Sequence, residues 1–138
     1  MKRCLLVANG DGEMAGLYDA FFSNVGYRVE TVSDGLACMT RIRESPPDLL
    51  LLDQGLPAAG GDGVLACLRE ENALMRVPVV LVADVIPIQE LSRLLIRPVI
   101  RCLEKRCPVA TLRYCIDSAL AASESLAQGQ SHPRVGRH

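Results

Sequence analysis

The chain has 138 residues, of which 49% are hydrophobic and 22% are charged, and its formal net charge is −1. These values fit one folded domain and exclude a disordered chain or a small scaffold that depends on disulfides. A net charge near zero argues against a protein that coats nucleic acid. The two histidines, His132 and His138, lie close to the C-terminus. We therefore expect no Ser-His or Cys-His catalytic pair, no histidine zinc site and no phosphotransfer histidine in the core.

No apolar stretch has the length of a membrane span. The longest apolar runs, Leu49–Leu52 and Val77–Ala83, are only as long as strands. The apolar run near the N-terminus is shorter than the core of a signal peptide. We therefore expect a cytoplasmic protein whose six cysteines are reduced. None forms a Cys-x-x-Cys pair, so we expect them mainly at apolar packing positions, with a redox or metal pair of Cys102 and Cys107 as the alternative.

Strand and helix patterns alternate along the chain. Five short apolar or β-branched segments predict strands, at Cys4–Ala8, Arg28–Val32, Asp48–Asp53, Val77–Ala83 and Val99–Leu103. Apolar residues at helical spacing predict helices over residues 14–25, 36–43, 61–71, 88–96 and 109–125. The stripe of the first helix is predicted to consist of Met14, Leu17, Phe21 and Val25. Five such units in series predict a parallel sheet with helices on both faces and right-handed crossovers.

Residues 1–125 are expected to form this one domain. Residues 126–138 are rich in Gln, Gly, Ser, Pro and Arg, a composition that predicts a flexible C-terminal tail. Because the tail is too short to fold by itself, we expect no second domain within this sequence.

Polar residues end or follow four of the predicted strands. Asn9, Gly10 and Asp11 come after the first strand, Asp53 ends the third, Asp84 follows Ala83 after the fourth, and Lys105 follows the fifth. Ligands of such sheets bind at the carboxyl ends of the strands. An Asp and a Lys that meet there suit phosphoryl chemistry, since the carboxylate can accept the group and the ammonium offsets its charge.

Four stretches also carry a resemblance to a known family, and they are Cys4 to Met14, Asp48 to Pro57, Pro78 to Ala83 and Leu103 to Lys105. With them, residues 3 to about 122 resemble the receiver domain of response regulators in two-component signalling. The resemblance implies a flavodoxin-like sheet with strand order 2-1-3-4-5, and a signalling domain rather than an enzyme. It also implies that Asp53 stands at the phosphoacceptor position and Lys105 at the position of the lysine that contacts the phosphoryl group.

The chain departs from the family where magnesium would bind. Asn9 and Gly10 stand where the family has two acidic residues that hold Mg²⁺. The remaining candidate ligands are Asp53, the Gly55 carbonyl, Asn9 and Asp11, which form a poor cage for a cation that prefers carboxylate oxygens. We therefore expect a weak or absent Mg²⁺ site and no other cofactor.

The family's switch positions are changed as well. Ala83 replaces the hydroxyl residue that binds the phosphoryl oxygen, and Cys102 replaces the aromatic residue that moves with it. Arg106 replaces a proline whose peptide bond is cis in the family. The sequence therefore indicates an atypical, stand-alone receiver that acts by protein interaction, with weak or no Mg²⁺-dependent phosphorylation. A slow phosphoacceptor in a phosphorelay, using Asp53 and Lys105, is the alternative.

A third alternative is nucleotide or dinucleotide binding. Residues 10–15 fit the pattern G-x-G-x-x-A directly after the first strand, with Glu30 at a suitable distance. Against it, Asp11 and Glu13 would repel a pyrophosphate at the start of the helix.

The distribution of charge suggests a partner. Residues 1–90 carry seven basic and 13 acidic side chains, whereas residues 91–116 carry six basic side chains and one acidic one. The expected partner surface consists of Arg93, Arg97, Arg101, Arg106 and Arg113. Such a surface suits an acidic partner, namely a histidine kinase, a phosphotransfer protein or a downstream effector. A solvated arginine-rich face and a homodimer stay open, while the lack of aromatic residues among the arginines argues against nucleic acid, and nothing indicates a membrane.

Overall fold

The computed structural model describes residues 2–131, with side chains described for residues 2–123. Five strands are present: β1 (Cys4–Ala8), β2 (Arg28–Val32), β3 (Leu49–Asp53), β4 (Val79–Ala83) and β5 (Val99–Glu104). The α-helices are α1 (Gly12–Asn24), α2 (Gly35–Glu44), α3 (Gly60–Glu70), α4 (Leu91–Leu94) and α5 (Val109–Ser131). Two 3₁₀ turns, Asn72–Arg76 and Ile88–Glu90, precede β4 and α4.

The strands form one parallel sheet with the order β2-β1-β3-β4-β5. The predicted fold class and strand order are therefore confirmed. Every residue of β1, β3 and β4 is buried, which explains why these strands are continuously apolar. The edge strands β2 and β5 expose part of their side chains.

A hydrophobic cluster covers each face of the sheet. On one face, Phe22 of α1 and Ile116 of α5 are fully buried against the sheet. On the other face, Ile42 of α2 and Leu68 of α3 are fully buried, and Leu94 of α4 joins them. Both faces are thus closed, as the sequence of alternating elements predicts.

Two helices depart from their predicted lengths. The predicted helix over residues 88–96 consists of the 3₁₀ turn followed by only four α-helical residues, of which Leu94 alone is buried. Pro87 and Pro98 flank this segment, and proline does not continue a helix. By contrast, α5 continues to Ser131, so the predicted boundary at residue 125 falls within a helix. Residues 132–138 of the predicted tail lie outside the described residues.

The face that α1 turns to the sheet also differs from the prediction. Ala15, Tyr18 and Phe22 are its buried residues, whereas Leu17 of the predicted stripe is 61% exposed. Across residues 2–131, no helix combines the length and the apolar character that crossing a bilayer requires.

Candidate functional site

Asp53 and Lys105 meet at the carboxyl edge of the sheet. Asp53 is the last residue of β3 and is only 5% exposed, and its Oδ1 lies 3.0 Å from the Lys105 Nζ. The same Oδ1 accepts a hydrogen bond from the Gly55 backbone N–H at 3.0 Å. Lys105 is held in place because its own N–H donates to the Ala83 carbonyl of β4 at 2.8 Å. The structure thus brings together the two residues that the sequence places at this edge.

Lys105 also contacts Asp84, which the sequence places after β4 at the same edge. The Asp84 Oδ1 lies 3.6 Å from the Lys105 Nζ, and the Asp84 side chain is 85% exposed. Burial disfavours the charge of Lys105, but the hydrogen bond and charge of Asp53, with a smaller effect of Asp84, raise the pKa of Lys105 above its usual value. Lys105 is therefore an ammonium at neutral pH.

The residues after β1 hold the loop rather than a cation. The Asn9 Oδ1 accepts a hydrogen bond from the Asp11 N–H at 2.8 Å, and Asn9 is only 5% exposed. Asp11 is the N-cap of α1, since its Oδ1 accepts from the N–H groups of Glu13 (3.0 Å) and Met14 (3.3 Å). The polar atoms that were expected as weak cation ligands thus serve to start α1.

The donor set does not fit a magnesium ion. Gly10 offers no side chain, and a Cβ atom added there would lie 2.4 Å from the Cδ of Pro57. Asn9 and Asp11 each use an oxygen within the loop, and Gly55 turns its N–H toward Asp53. Among the described residues, no three His, Cys, Asp or Glu side chains are grouped so that they could hold a metal ion. Asp53 therefore stands without the two acidic residues that hold the cation together with it in the family.

Two of the altered switch positions, Ala83 and Cys102, are buried or partly buried. Ala83 ends β4 and is 3% exposed, and it has no hydroxyl to offer. Cys102 packs against the cluster that contains Leu94, and burial raises the pKa of its thiol. Within residues 2–131 the cis peptide bond is Arg97–Pro98, so the Lys105–Arg106 bond is trans.

The loop after β3 has an unusual backbone next to Asp53. Ala58 (φ 53°) and Ala59 (φ 81°) both adopt positive φ, followed by Gly60 (φ 67°). Gly35 of α2 packs against this loop so closely that a Cβ there would lie 2.1 Å from the Ala58 carbonyl oxygen. Left-handed alanines are strained, and such strain often occurs near functional sites. This conformation was not predicted, because alanine carries no turn signal.

An apolar groove of about 310 Å³ opens beside Lys105. It is lined by Met14, Leu17, Tyr18, Phe21, Lys105, Cys107 and Val109. The groove was not predicted, because Met14, Leu17 and Phe21 were expected to pack against the sheet as part of the helix stripe. The groove places apolar side chains next to Lys105 at the edge that carries Asp53.

All five arginines of the predicted partner surface are exposed. Arg93, Arg97, Arg101 and Arg106 lie on the segment that runs from α4 to the residues after β5, and Arg101 borders α5. Arg113 lies instead beside Tyr27, where its guanidinium pairs with Asp117. There the Tyr27 hydroxyl donates to Asp117, and burial together with this hydrogen bond raises the pKa of Tyr27.

One further arginine fixes the turn after α4. Arg69 of α3 donates from Nη2 to the Ile96 carbonyl at 3.0 Å and from Nε to the Arg97 carbonyl at 2.9 Å. Arg69 was not among the predicted site residues, because its spacing is that of any solvated helix residue. This contact joins α3 to the arginine surface.

The structure does not favour the nucleotide alternative. A groove of about 400 Å³ lies beside the glycine loop, between the start of α1 and the end of β2. However, the N–H groups at the start of α1 that would bind a pyrophosphate already donate to Asp11. Asp19 also lines the groove and adds negative charge.

A parallel 2-1-3-4-5 sheet with helices on both faces, and with a buried carboxylate paired with a lysine at its carboxyl edge, defines an α/β domain of the flavodoxin-like class. The profile of the response regulator receiver domain matches residues 5–117. The chain therefore belongs to the receiver-domain family of two-component signalling, which confirms the resemblance stated above.

Individual relatives agree with this assignment. The DNA-binding response regulator MtrA of Mycobacterium tuberculosis is 32% identical over 81 residues, which is 59% of this chain and 34% of that protein. Protein Rrf1 of Nitratidesulfovibrio vulgaris is 29% identical over 84 residues, 61% of each chain. The chain thus spans about a third of the length of the MtrA relatives.

Solved structures share the fold at low identity. The Francisella response regulator 1452 receiver domain has a TM-score of 0.82 at 20% identity, covering 88% of this chain and 99% of that one. The signal receiver domain of a histidine kinase from Syntrophus aciditrophicus has a TM-score of 0.78 at 20% identity, covering 87% and 91%.

Proposed function

We propose that this receiver domain works in cytoplasmic two-component signalling mainly as a protein-interaction module, with weak or no Mg²⁺-dependent phosphorylation of Asp53. The observation that carries the proposal is that the residues after β1, which hold the cation in the family, have other roles in this structure. Asn9 and Asp11 stabilise the loop and α1, and Gly10 is closed off by Pro57. A receiver without this cation site and without a hydroxyl at position 83 lacks the usual means of sensing the phosphoryl group.

Electrostatics explains why Mg²⁺-assisted transfer would be slow. Two like charges 4 Å apart repel by about 4 kcal/mol at an effective dielectric constant near 20. In this pocket Lys105 is the cation within reach of Asp53, and Asp84 shares it. An incoming phosphoryl donor therefore meets one shared positive charge instead of a lysine and a divalent ion.

The surface around α4 and β5 supports binding of an acidic protein. Arg97, Arg101 and Arg106 are exposed, and the nearby apolar side chains of Ile88 (83% exposed) and Ile96 (50% exposed) are also open to solvent. Arginine and apolar side chains together are typical of interface cores. The partner would be a kinase, a phosphotransfer protein or an effector with a complementary acidic face, and a second copy of the chain is the alternative.

Partner capture tests this function. The tagged domain is used to recover bound proteins from cells that encode it, in parallel with Asp53→Ala, the double variant Arg97→Glu/Arg101→Glu and the control Arg76→Glu. Arg76 is equally exposed but lies in the 3₁₀ turn before β4. The same partner is expected with the wild type, Asp53→Ala and Arg76→Glu, and its loss is expected with the double variant. Loss with Asp53→Ala would mean that output depends on phosphorylation, contrary to the proposal.

A slow phosphoacceptor is the second candidate, and the preserved pair of Asp53 and Lys105 at 3.0 Å favours it. Intact mass after incubation with acetyl phosphate tests it directly. A gain of one phosphoryl group that is absent in Asp53→Ala would support a role in a relay.

A further inference from the structure

We propose that Asp53 accepts a phosphoryl group without a divalent cation, with the side-chain amide of Asn9 and the ammonium of Lys105 serving as the donors to the phosphoryl oxygens. This inference rests on the second candidate function above, since it requires Asp53 to be a phosphoacceptor. It goes further by assigning a role to Asn9 and by fixing the metal requirement of the site.

The orientation of the Asn9 amide is set by its neighbour. Because the Asp11 N–H donates to the Asn9 Oδ1, that atom must be the oxygen, and the other terminal atom is the NH₂ group. Within the described part of the chain, the Asn9 Nδ2 has no acceptor, although Asn9 is only 5% exposed. A buried donor without a partner is uncommon and points to a group that the protein alone does not supply.

Asp53 offers the complementary acceptor. Its Oδ1 takes both the Gly55 N–H and the Lys105 Nζ, while among residues 2–131 its Oδ2 has no donor. β1 and β3 are neighbours paired up to Ala8 and Leu52, so Asn9 and Asp53 occupy the next position on each strand. A free donor and a free nucleophilic oxygen therefore lie at adjacent strand ends.

The charges of the pocket balance without a metal ion. In the family, two carboxylates at positions 9 and 10 are offset by one divalent cation. Here Asn9 and Gly10 are neutral, so removal of the cation leaves the net charge around Asp53 unchanged. A donor amide then replaces a metal bond to the phosphoryl oxygen, and hydrogen bonds to charged oxygens are the stronger ones.

The transfer step needs no further reactant. The Asp53 Oδ2 attacks the phosphorus of acetyl phosphate, a new O–P bond forms, and the bond from phosphorus to the acetate oxygen breaks. Acetate leaves with the bonding electron pair, and no proton has to move. Lys105 and the Asn9 Nδ2 stabilise the charge on the transferred oxygens, as preorganised donors do in other transfer reactions.

Labelling with acetyl phosphate, followed by intact mass in EDTA and in Mg²⁺, tests the inference. The wild type is expected to gain one phosphoryl group at rates that agree within about twofold in the two buffers. Asn9→Asp keeps the oxygen that accepts from Asp11, so the loop is retained, but it replaces the donor by a negative charge. Its labelling in EDTA is expected to fall at least about tenfold, as for loss of one donor to a charged group, and to recover with Mg²⁺.

Matched controls separate a local effect from a general one. Asn24→Asp makes the same change at the exposed end of α1 and is expected to label like the wild type. Asp53→Ala is expected to show no adduct, and circular dichroism checks that each variant is folded.

Each outcome bears on the inference. Wild-type labelling that requires Mg²⁺ would overturn it while leaving Asp53 as a phosphoacceptor. No adduct in either buffer would overturn both the inference and the second candidate function, whereas the interaction module would still be judged by partner capture. Undiminished labelling of Asn9→Asp in EDTA would overturn the role of the amide alone.

Discussion

Replacing Ala59 by glycine is expected to stabilise the domain, because its backbone conformation favours glycine. Ala59 lies directly before α3 with φ 81° and ψ −22°. For an alanine, a left-handed conformation costs roughly 1–2 kcal/mol. Replacement by glycine removes this cost, but the greater entropy of the unfolded chain with glycine lowers the free energy of unfolding by about 0.4–1 kcal/mol. The net gain in the free energy of unfolding is therefore about 0.5–1 kcal/mol.

Thermal and urea unfolding measure this gain, with Ala66→Gly as the matched control. A gain of this size corresponds to a rise of about 2–4 °C in Tm for a domain of this length. Ala66 is exposed in the interior of α3, where the same substitution should lower stability by about 1 kcal/mol. The two variants must therefore shift in opposite directions. If Ala59→Gly lowered stability as Ala66→Gly does, the backbone of the loop after β3 would not be strained, and the reasoning would fail.

Three further predictions follow from single contacts. Gly10→Asp should destabilise the domain by about 1–3 kcal/mol in urea unfolding, because its Cβ meets Pro57, and it should not by itself increase Mg²⁺-dependent labelling. Arg69→Ala removes two hydrogen bonds to the turn after α4, so hydrogen exchange of residues 91–101 should become faster while that of the other strands stays unchanged. Burial and the hydrogen bond to Asp117 raise the pKa of Tyr27 in the folded state. The neutral phenol therefore contributes its full stabilisation below the pKa of the unfolded chain, about 10, and this stabilisation decreases as the pH rises further. The stability that Tyr27→Phe loses at pH 7 should therefore shrink above pH 10, and a constant difference would contradict the assignment.

The sheet could be predicted from the sequence because the central strands are buried on both faces. A run such as Leu49–Leu52 is apolar on both faces, so in an α/β fold it suits a central strand that helices cover on both sides. The pairing of Asp53 with Lys105 followed from the same topology, since these residues end or follow the two strands that flank β4 at one edge. What depends on topology was therefore accessible from the sequence.

Features that depend on loop geometry were not accessible. In α1 two adjacent apolar stripes compete for the core, and the sequence does not say that Tyr18 and Phe22 turn inward while Leu17 stays exposed. The N-cap role of Asp11 depends on the dihedral angles of one residue. Likewise, the departure of Arg113 from the arginine surface follows from the rotation of α5 and from its ion pair with Asp117.

The changes at positions 9, 10 and 83 affect the equilibrium of Asp53 phosphorylation differently from the rates of phosphorylation and hydrolysis. The loss of two carboxylates compensates electrostatically for the loss of the cation, so a phosphoryl group on Asp53 need not be less stable here. A divalent ion would also align donor and nucleophile, and one amide and one ammonium do this less completely. Because formation and loss of the acyl phosphate pass through similar transition states, both steps become slower together. With no hydroxyl at Ala83 to draw the loop inward, a phosphoryl group would then persist on Asp53 without moving the arginine surface. Such a domain is suited to present one surface steadily, which is the property that an interaction module requires.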